Sequence, residues 1–172
     1  MILCEDRQQE IFARQYLTAR GIHWSKIRAN ICPRGKQAGE QYVSDHYPIE
    51  VQAYRSKRHH LQIGLVVVVD ADNHTIQQRL EVLAQRLREK SIPSRQIDEQ
   101  IGIFIPKRNI ETWIHYLRGN SVDEDKAYPK LKCESDCKPL VQDLVRRCHV
   151  GLDADAPPSL HEACAEIQRL LP

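Results

Sequence analysis

Two acidic residues follow directly on the most apolar stretch of the chain. The segment GLVVVVDADNH, residues 64–74, runs through four consecutive valines into Asp70 and Asp72, which a single alanine separates. Residues directly after a buried strand of a parallel sheet reach the crevice where such sheets bind ligands. Carboxylates crowded in one crevice repel each other unless a cation lies between them, and carboxylate oxygens suit Mg²⁺ or Mn²⁺. The pattern predicts a metal-binding site.

Two further acidic residues occupy comparable places. Glu5 follows the short apolar segment Ile2–Cys4, and Glu111 lies in the first turn of a predicted helix after the strand Ile101–Ile105. Each acid also has a plainer explanation, because negative side chains are common at helix starts, and Asp72 could likewise cap the next helix. For Glu111 and Asp72 the residues alone leave both explanations open.

A second Asp-Ala-Asp sequence is a different case. Asp153 and Asp155 stand in GLDADAPPS, where no apolar strand precedes them and two prolines follow. Prolines and aspartates in this arrangement are typical of a turn, which is what we predict there.

Strands and helices alternate along the first two thirds of the chain. The stretch Leu61–Val69 is β-branched, continuous and too short for an ordinary helix, which is typical of a strand buried on both faces of a parallel sheet. Apolar residues at helical spacing follow it. The predicted strands are Ile2–Cys4, Ile27–Cys32, Leu61–Val69 and Ile101–Ile105, and the predicted helices are Arg7–Arg20, Glu40–Arg58 with an interruption around Pro48, Thr75–Lys90 and one capped by Asn109.

This order predicts an α/β fold with a parallel, Rossmann-like sheet and helices on both faces over residues 1–118. No strand is expected in residues 119–172. The helices Lys138–His149 and Leu160–Leu171 are predicted there, and they would form a helical C-terminal appendage.

The composition is that of an ordinary globular protein. With 172 residues and a formal charge of +2, the chain can bury a sizeable core and is too weakly basic to indicate a nucleic-acid binder by charge alone. The longest apolar run is too short to span a membrane, and the segment MILCEDRQQE is charged by its fifth residue. We therefore expect a cytoplasmic protein without membrane contact.

Six cysteines are too few to indicate a disulfide scaffold, and free thiols are expected. Cys133, Cys137, Cys148 and His149 could together hold zinc, but their spacing is looser than that of most structural zinc sites. Unreactive thiols are the favoured interpretation.

The order of acids resembles that of the Toprim domain, which topoisomerases, bacterial primases, some ribonucleases and the overcoming-lysogenization-defect (OLD) nucleases share. The matching segments are ILCEDRQQE, VVVVDAD and, for the nuclease branch, FIPKRNIETW. The resemblance implies that Glu5, Asp70 and Asp72 bind Mg²⁺ or Mn²⁺ and take part in catalysis. It also implies that Glu111 serves a second metal ion and that Lys107 neutralises the transition-state phosphate.

The activity that the resemblance implies is metal-dependent endonuclease cleavage of nucleic acid, DNA more than RNA, in an anti-phage defence or DNA-processing system. Such nucleases often work with an ATPase, and because this chain has no phosphate-binding loop of its own, a separate ATPase partner is expected. Basic residues would contact phosphates without reading bases; the candidates are Lys57, Arg58, Lys107 and Arg108. Assembly into a homo-oligomer is compatible with the sequence.

The chain departs from the Toprim pattern in its first motif. A glycine usually follows the first glutamate, and Asp6 stands here instead. The nuclease branch commonly carries an acid four residues after that glutamate, where this chain has Gln9, with Glu10 one step further. These departures leave the second metal site open.

Two other functions remain as alternatives. The chain could be a non-catalytic Toprim-fold subunit whose helical tail docks on an ATPase. It could also be a phosphatase or receiver-like phosphoacceptor, although a haloacid-dehalogenase phosphatase carries its Asp-x-Asp after the first strand rather than the third. That mismatch makes the phosphatase the weaker alternative.

Overall fold

Four short parallel strands form the centre of the molecule. The computed structural model of the chain describes residues 1–170, and its strands are Ile2–Cys4 (β1), Ala29–Ile31 (β2), Leu65–Val68 (β3) and Ile101–Phe104 (β4). They lie in the order β2-β1-β3-β4, and every neighbouring pair is parallel. The predicted α/β class with a parallel, Rossmann-like sheet is confirmed.

Helices cover both faces of this sheet. Within residues 1–170 they are Arg7–Ala19 (α1), Gly39–Arg55 (α2), Ile76–Glu89 (α3), Ile110–Leu117 (α4), Lys138–Val150 (α5) and Pro158–Leu170 (α6). One core cluster joins α1, α4, α5 and α6 to one face, and a second cluster joins α2 and α3 to the other.

The strand β3 shows why both faces are covered. All its residues are buried; Val66 and Val68 belong to the first cluster, and Leu65 and Val67 to the second. Because successive side chains of a strand point to opposite faces, a strand in the middle of a covered sheet needs apolar residues at every position. The valine run thus holds the chain firmly up to Asp70.

Some predicted boundaries are wrong. The strand β3 starts at Leu65 and not at Leu61, whose side chain is exposed before the chain enters the sheet. The helix α2 runs through Pro48 without interruption. A proline inside a helix costs about 3 kcal/mol, but Val43, Tyr47 and Val51 on the same helix are almost fully buried, and this packing offsets the cost.

The start of α3 decides one alternative for Asp72. Thr75 is the N-cap: its side chain accepts a hydrogen bond from the backbone N–H of Gln78, and the Gln78 side chain accepts one from the N–H of Thr75. This reciprocal capping box satisfies the helix end without Asp72. The acid is therefore not the cap of this helix.

The C-terminal helices pack directly on the rest of the chain. The helix α5 lies against α1, and α6 lies along β4, the edge strand, where Glu166 Oε2 accepts a hydrogen bond from the N–H of Ile103 at 3.0 Å. Covering an edge strand removes a template for unwanted strand pairing. Residues 120–170 contain helices and loops but no strand, as predicted, and none of the helices in residues 1–170 is long and apolar enough to cross a bilayer.

The expectation that all cysteines are free thiols is wrong. Cys148 of α5 and Cys164 of α6 form a disulfide, with their Cα atoms 5.2 Å apart. Cys4, Cys32, Cys133 and Cys137 are free. Because a sulfur in a disulfide cannot ligate a metal ion as a thiolate, the candidate zinc set loses Cys148.

The disulfide predicts a redox-dependent stability. It closes a loop with a sequence separation of 16 residues, for which the loss of chain entropy in the unfolded state is worth about 3 kcal/mol. Cys164→Ser should lower the free energy of unfolding by an amount of that order, as measured by urea denaturation. A reductant should lower the free energy of unfolding of the wild type by the same amount and leave that of Cys164→Ser unchanged. Cys133→Ser, at an exposed free thiol, is the matched control, and the disulfide carries no stability if the two variants unfold alike.

Candidate metal centre

Acidic side chains from three parts of the chain meet at the carboxyl edge of the sheet. Glu5 follows β1, Asp70 follows β3 after one more residue, and Glu111 lies in the first turn of α4. Asp6 is the N-cap of α1, with its Oδ1 accepting from the N–H of Gln9 at 3.0 Å. These four acids, with Asp72, form what we call the acid cluster.

Glu5 and Asp70 are linked across the sheet. Glu5 Oε1 accepts a hydrogen bond from the backbone N–H of Asp70 at 2.5 Å, and the N–H of Glu5 donates to Gln9 Oε1 at 2.9 Å. The start of α2 presses on the same side chain, because a Cβ added to Gly39 would lie 2.6 Å from Glu5 Oε2. Glu5 is thus held in one position by three separate elements.

Two acids carry oxygens without any partner. Asp70 Oδ1 and Glu111 Oε1 are both buried, and neither accepts a hydrogen bond. Glu111 as a whole is 2% exposed. Buried carboxylate oxygens are nearly always hydrogen-bonded, ion-paired or bound to metal, because an unpaired one loses its hydration without replacement. These two oxygens mark a place where a cation or a donor belongs.

The electrostatics of the cluster agree with this picture. Burial raises the pKa of Glu5 to about 7, the N–H of Asp70 opposes this, and the charges of Asp72 and Glu40 add to it. Burial, then the charges of Glu5 and Glu111, raises the pKa of Asp70 well above its ordinary range. Burial also raises the pKa of Glu111. A group of acids that disfavours its own ionisation is poised to take up a cation.

Asp72 stands apart from the other acids in conformation. Its φ of +56° lies in the left-handed region, inside a turn that the N–H of His74 closes on the carbonyl of Ala71 at 2.9 Å. Its side chain is half exposed, with Oδ2 3.8 Å from Nη2 of the buried Arg79. The two aspartates are therefore arranged by a turn, with Asp70 inward and Asp72 facing solvent beside Glu5.

A lysine that the sequence did not indicate lies at the cluster. Lys130 Nζ contacts Asp6 Oδ2 at 2.6 Å. The bond to Asp6 and the charges of Asp6, Glu111 and Asp70 raise the pKa of this lysine. No local signal could have found Lys130, because it comes from a polar loop 124 residues after Asp6.

The predicted phosphate-binding cations fall at two different edges. Lys107 contacts Asp125 at 3.1 Å and Arg108 contacts Asn73, so both lie beside the Asp72 turn. Lys57 and Arg58 follow the end of α2, and Arg58 pairs with Asp98 just before β4 begins. Because α2 ends at the amino edge of the sheet, Lys57 and Arg58 cannot contact a phosphate bound at the acid cluster.

The donor types fit a hard divalent cation. All five acids offer oxygens, and two of these oxygens are buried without partners. Within residues 1–170, however, no three acidic, histidine or cysteine side chains already stand in a metal-binding arrangement. Glu5 is engaged by Asp70 and Asp6 by Lys130, so these side chains would have to turn towards an ion.

Comparison with known proteins does not assign a family. No family model matches this chain, and neither curated proteins nor solved structures gave a match.

The raised pKa values predict how stability varies with pH. In the unfolded chain Glu5 ionises near its ordinary value of 4.5, and in the folded protein near 7. Stability from this group is therefore full below about pH 4.5 and is lost as the pH rises to about 7, by an amount on the order of 3 kcal/mol. In thermal melts between these pH values, Glu5→Gln should lose less stability with rising pH than the wild type does. Glu81→Gln, at an exposed position, should lose as much as the wild type. Equal pH profiles for Glu5→Gln and the wild type would contradict the assignment.

The close approach of Gly39 predicts a second effect. In Gly39→Ala the new methyl group collides with the Glu5 carboxylate, and overpacking of this kind costs about 1–3 kcal/mol. We expect Glu5 to be displaced and any stabilisation of the protein by Mn²⁺ in thermal melts to be lost. Gly21→Ala, strained by a φ of +92° but with no atom near its Cβ, is the control that should keep that response. A Mn²⁺ response retained in Gly39→Ala would show that Glu5 is not a ligand.

Proposed function

We propose that the protein is a metal-dependent nuclease that hydrolyses phosphodiester bonds of nucleic acid with the acid cluster as its catalytic centre. The observation that carries this proposal is the pair of buried, unpartnered oxygens on Asp70 and Glu111. A fold does not hold buried acids of raised pKa for stability, because each of them weakens the folded state at neutral pH. A bound divalent cation would relieve that cost.

In this proposal Glu5, Asp70, Asp72 and Glu111 hold one or two Mg²⁺ or Mn²⁺ ions. Such ions, when bound, activate a water molecule and stabilise the leaving oxygen in phosphoryl transfer. Asp70 and Glu111 supply oxygens from the buried side of the cluster, and Asp72 approaches from the solvent side. Glu5 orients Asp70 through the bond to its N–H. Arg79, buried beneath Asp72, fixes the turn that carries that acid.

The resemblance to Toprim nucleases supports the same assignment. In this chain the acids after β1 and β3 lie at one edge of a parallel sheet. The departure at Asp6 has a structural role here, because Asp6 caps α1 and binds Lys130. We propose further that the enzyme acts with a separate ATPase in phage defence or DNA processing. Lys107, held by Asp125, would swing to the substrate phosphate.

A non-catalytic Toprim-fold subunit is the second candidate. Its specific support is Lys130, whose ammonium binds Asp6, has its pKa raised by the charges of Glu111 and Asp70 as well, and could stand in for a metal ion permanently. Titration calorimetry with Mn²⁺ separates the two candidates. The nuclease binds Mn²⁺ in a manner that depends on Asp70, and the inert subunit shows no such binding.

The nuclease proposal predicts cleavage that requires the buried acid. Supercoiled plasmid DNA and single-stranded oligonucleotides are incubated with Mg²⁺ or Mn²⁺, with and without an ATPase partner, and products are separated on gels. Asp70→Asn should reduce the cleavage rate by at least about a hundredfold, a size typical of losing one group that stabilises the transition state. The change keeps the shape of the side chain but replaces one carboxylate oxygen with an amide nitrogen, so the negative charge and one possible metal ligand are lost.

The control is Asp153→Asn, which removes an exposed acid of the second Asp-Ala-Asp sequence, outside the acid cluster. It should retain cleavage within a few-fold of the wild type. Cleavage by Asp70→Asn at the wild-type rate would contradict the nuclease proposal, and so would cleavage that persists in EDTA.

A further inference from the structure

A cleft opens beside the acid cluster on the β2 side of the sheet. Its volume is about 620 Å³, and Glu5 and Asp6 are the acids that it shares with the cluster. One wall is the loop of residues 32–38 between β2 and α2, with Gly39 at the start of α2. The opposite wall comes from Lys130, Leu131 and Glu134, far away in sequence.

Basic side chains line this cleft from three directions. Arg34 stands on the loop, Arg7 at the start of α1 and Lys130 on the opposite wall. Arg7 also contacts Glu10, and that buried acid is held by Arg14 as well, so Arg7 is not its sole partner. The cations balance the acids Glu5, Asp6 and Glu134 of the lining. A divalent cation at the acid cluster would make the cleft attractive to anions.

The loop that carries Arg34 has a defined shape. The N–H of Lys36 donates to the carbonyl of Pro33 at 3.3 Å, which closes a β-turn with Arg34 and Gly35 at its centre. Gly35 has a φ of +73°, as the third residue of a type II turn requires. Glycine takes the positive φ of this turn without steric cost, and Arg34, the second residue of the turn, is presented at the rim of the cleft.

The dimensions of the cleft select among phosphate-bearing ligands. Its volume lies in the range of roughly 300–1,000 Å³ that is usual for small-ligand sites, enough for a nucleotide but not for a double helix. Glu5 and Asp6 are part of the lining, so a phosphate that binds between the two walls lies beside them. The lining residues include no aromatic side chain on which a base could stack.

We infer that this cleft is the strand-binding site of the protein, which takes a single strand of nucleic acid by its phosphates, through Arg34 and Lys130, in preference to a duplex. The inference rests on the proposed nuclease function for the identity of the ligand. Lys130 exchanges its contact with Asp6 for a substrate phosphate, and Asp6 is thereby released next to Glu5. Binding follows the backbone and is independent of base sequence.

Binding can be measured separately from cleavage. The wild-type protein with Ca²⁺, which takes oxygen ligands as Mg²⁺ does but in a different geometry, is titrated into fluorescein-labelled oligothymidylate of about 12 nucleotides, a length within the usual site size for single strands, and gels check that the strand stays intact. The same titration is made with the duplex that this strand forms with oligoadenylate, and thymidine 5′-monophosphate is tested as a competitor. Fluorescence anisotropy gives the Kd at several salt concentrations.

The test variant is Arg34→Ala with Lys130→Ala in the wild-type background. The control, Lys26→Ala with Lys90→Ala, removes the same charge from exposed positions before β2 and after α3, at the other edge of the sheet. We expect the single strand to bind more tightly than the duplex. The test variant should weaken binding at least about tenfold and lower the salt dependence by about 1.4, the slope of two lost single-strand contacts. The control should change Kd less than about threefold.

Three results would overturn the inference: duplex binding as tight as strand binding, equal losses in test and control variants, or competition by the mononucleotide as strong as by the strand. Melting temperatures check that each variant is folded, and Lys130→Arg should restore most of the affinity if the charge is what matters. If the wild type cleaves nucleic acid but any of these three results is found, the nuclease proposal stands and the assignment of the cleft as the strand-binding site is refuted. If strands bind through Arg34 and Lys130 but the wild type does not cleave them, the nuclease proposal is refuted and the cleft remains the strand-binding site.

Discussion

The site depends on one constraint: carboxylates are buried at the edge of the sheet without enough partners. Parallel strands end at the same edge, so Glu5 after β1 and Asp70 after β3 are brought together by the topology itself. Helix α4 adds Glu111, a residue that is only 2% exposed. The shift of the Glu5 pKa to about 7 corresponds to a cost on the order of 3 kcal/mol at neutral pH, a large part of the stability of a domain of this size. Such a cost is more readily explained by function than by folding.

The remaining elements hold the buried acids in place and shape the surroundings of the site. The two core clusters clamp β3 from both faces, and the N–H of Asp70 compensates one oxygen of Glu5. The C-terminal part of the chain covers the edge strand of the sheet and also contributes a side chain to the site. Helix α6 covers β4 through Glu166, whereas Lys130 reaches back to Asp6. The cleft on the β2 side gives access to Glu5 and Asp6.

Much of this could be predicted from the sequence, for identifiable reasons. Strand β3 is a continuous β-branched run and helix α3 has apolar residues at helical spacing, patterns strong enough to fix the type of each element, and the acids after the strands follow from topology. What failed needed three-dimensional contacts. The packing of Tyr47 and Val51 kept α2 intact at Pro48. The pairing of Cys148 with Cys164, the approach of Gly39 to Glu5 and the arrival of Lys130 at Asp6 join segments whose proximity no local pattern encodes.

The most direct measurement is anomalous diffraction from crystals soaked in Mn²⁺ near pH 8, above the pKa of about 7 of Glu5. The account predicts an anomalous peak bounded by Asp70 and Glu5, with Asp70 Oδ1 among the ligands and Asp72 turned towards the ion. It predicts no such peak in crystals of Asp70→Asn treated in the same way. A cluster that stays free of manganese in the wild type, with Lys130 still on Asp6 and the oxygens of Asp70 and Glu111 still unpartnered, would contradict it.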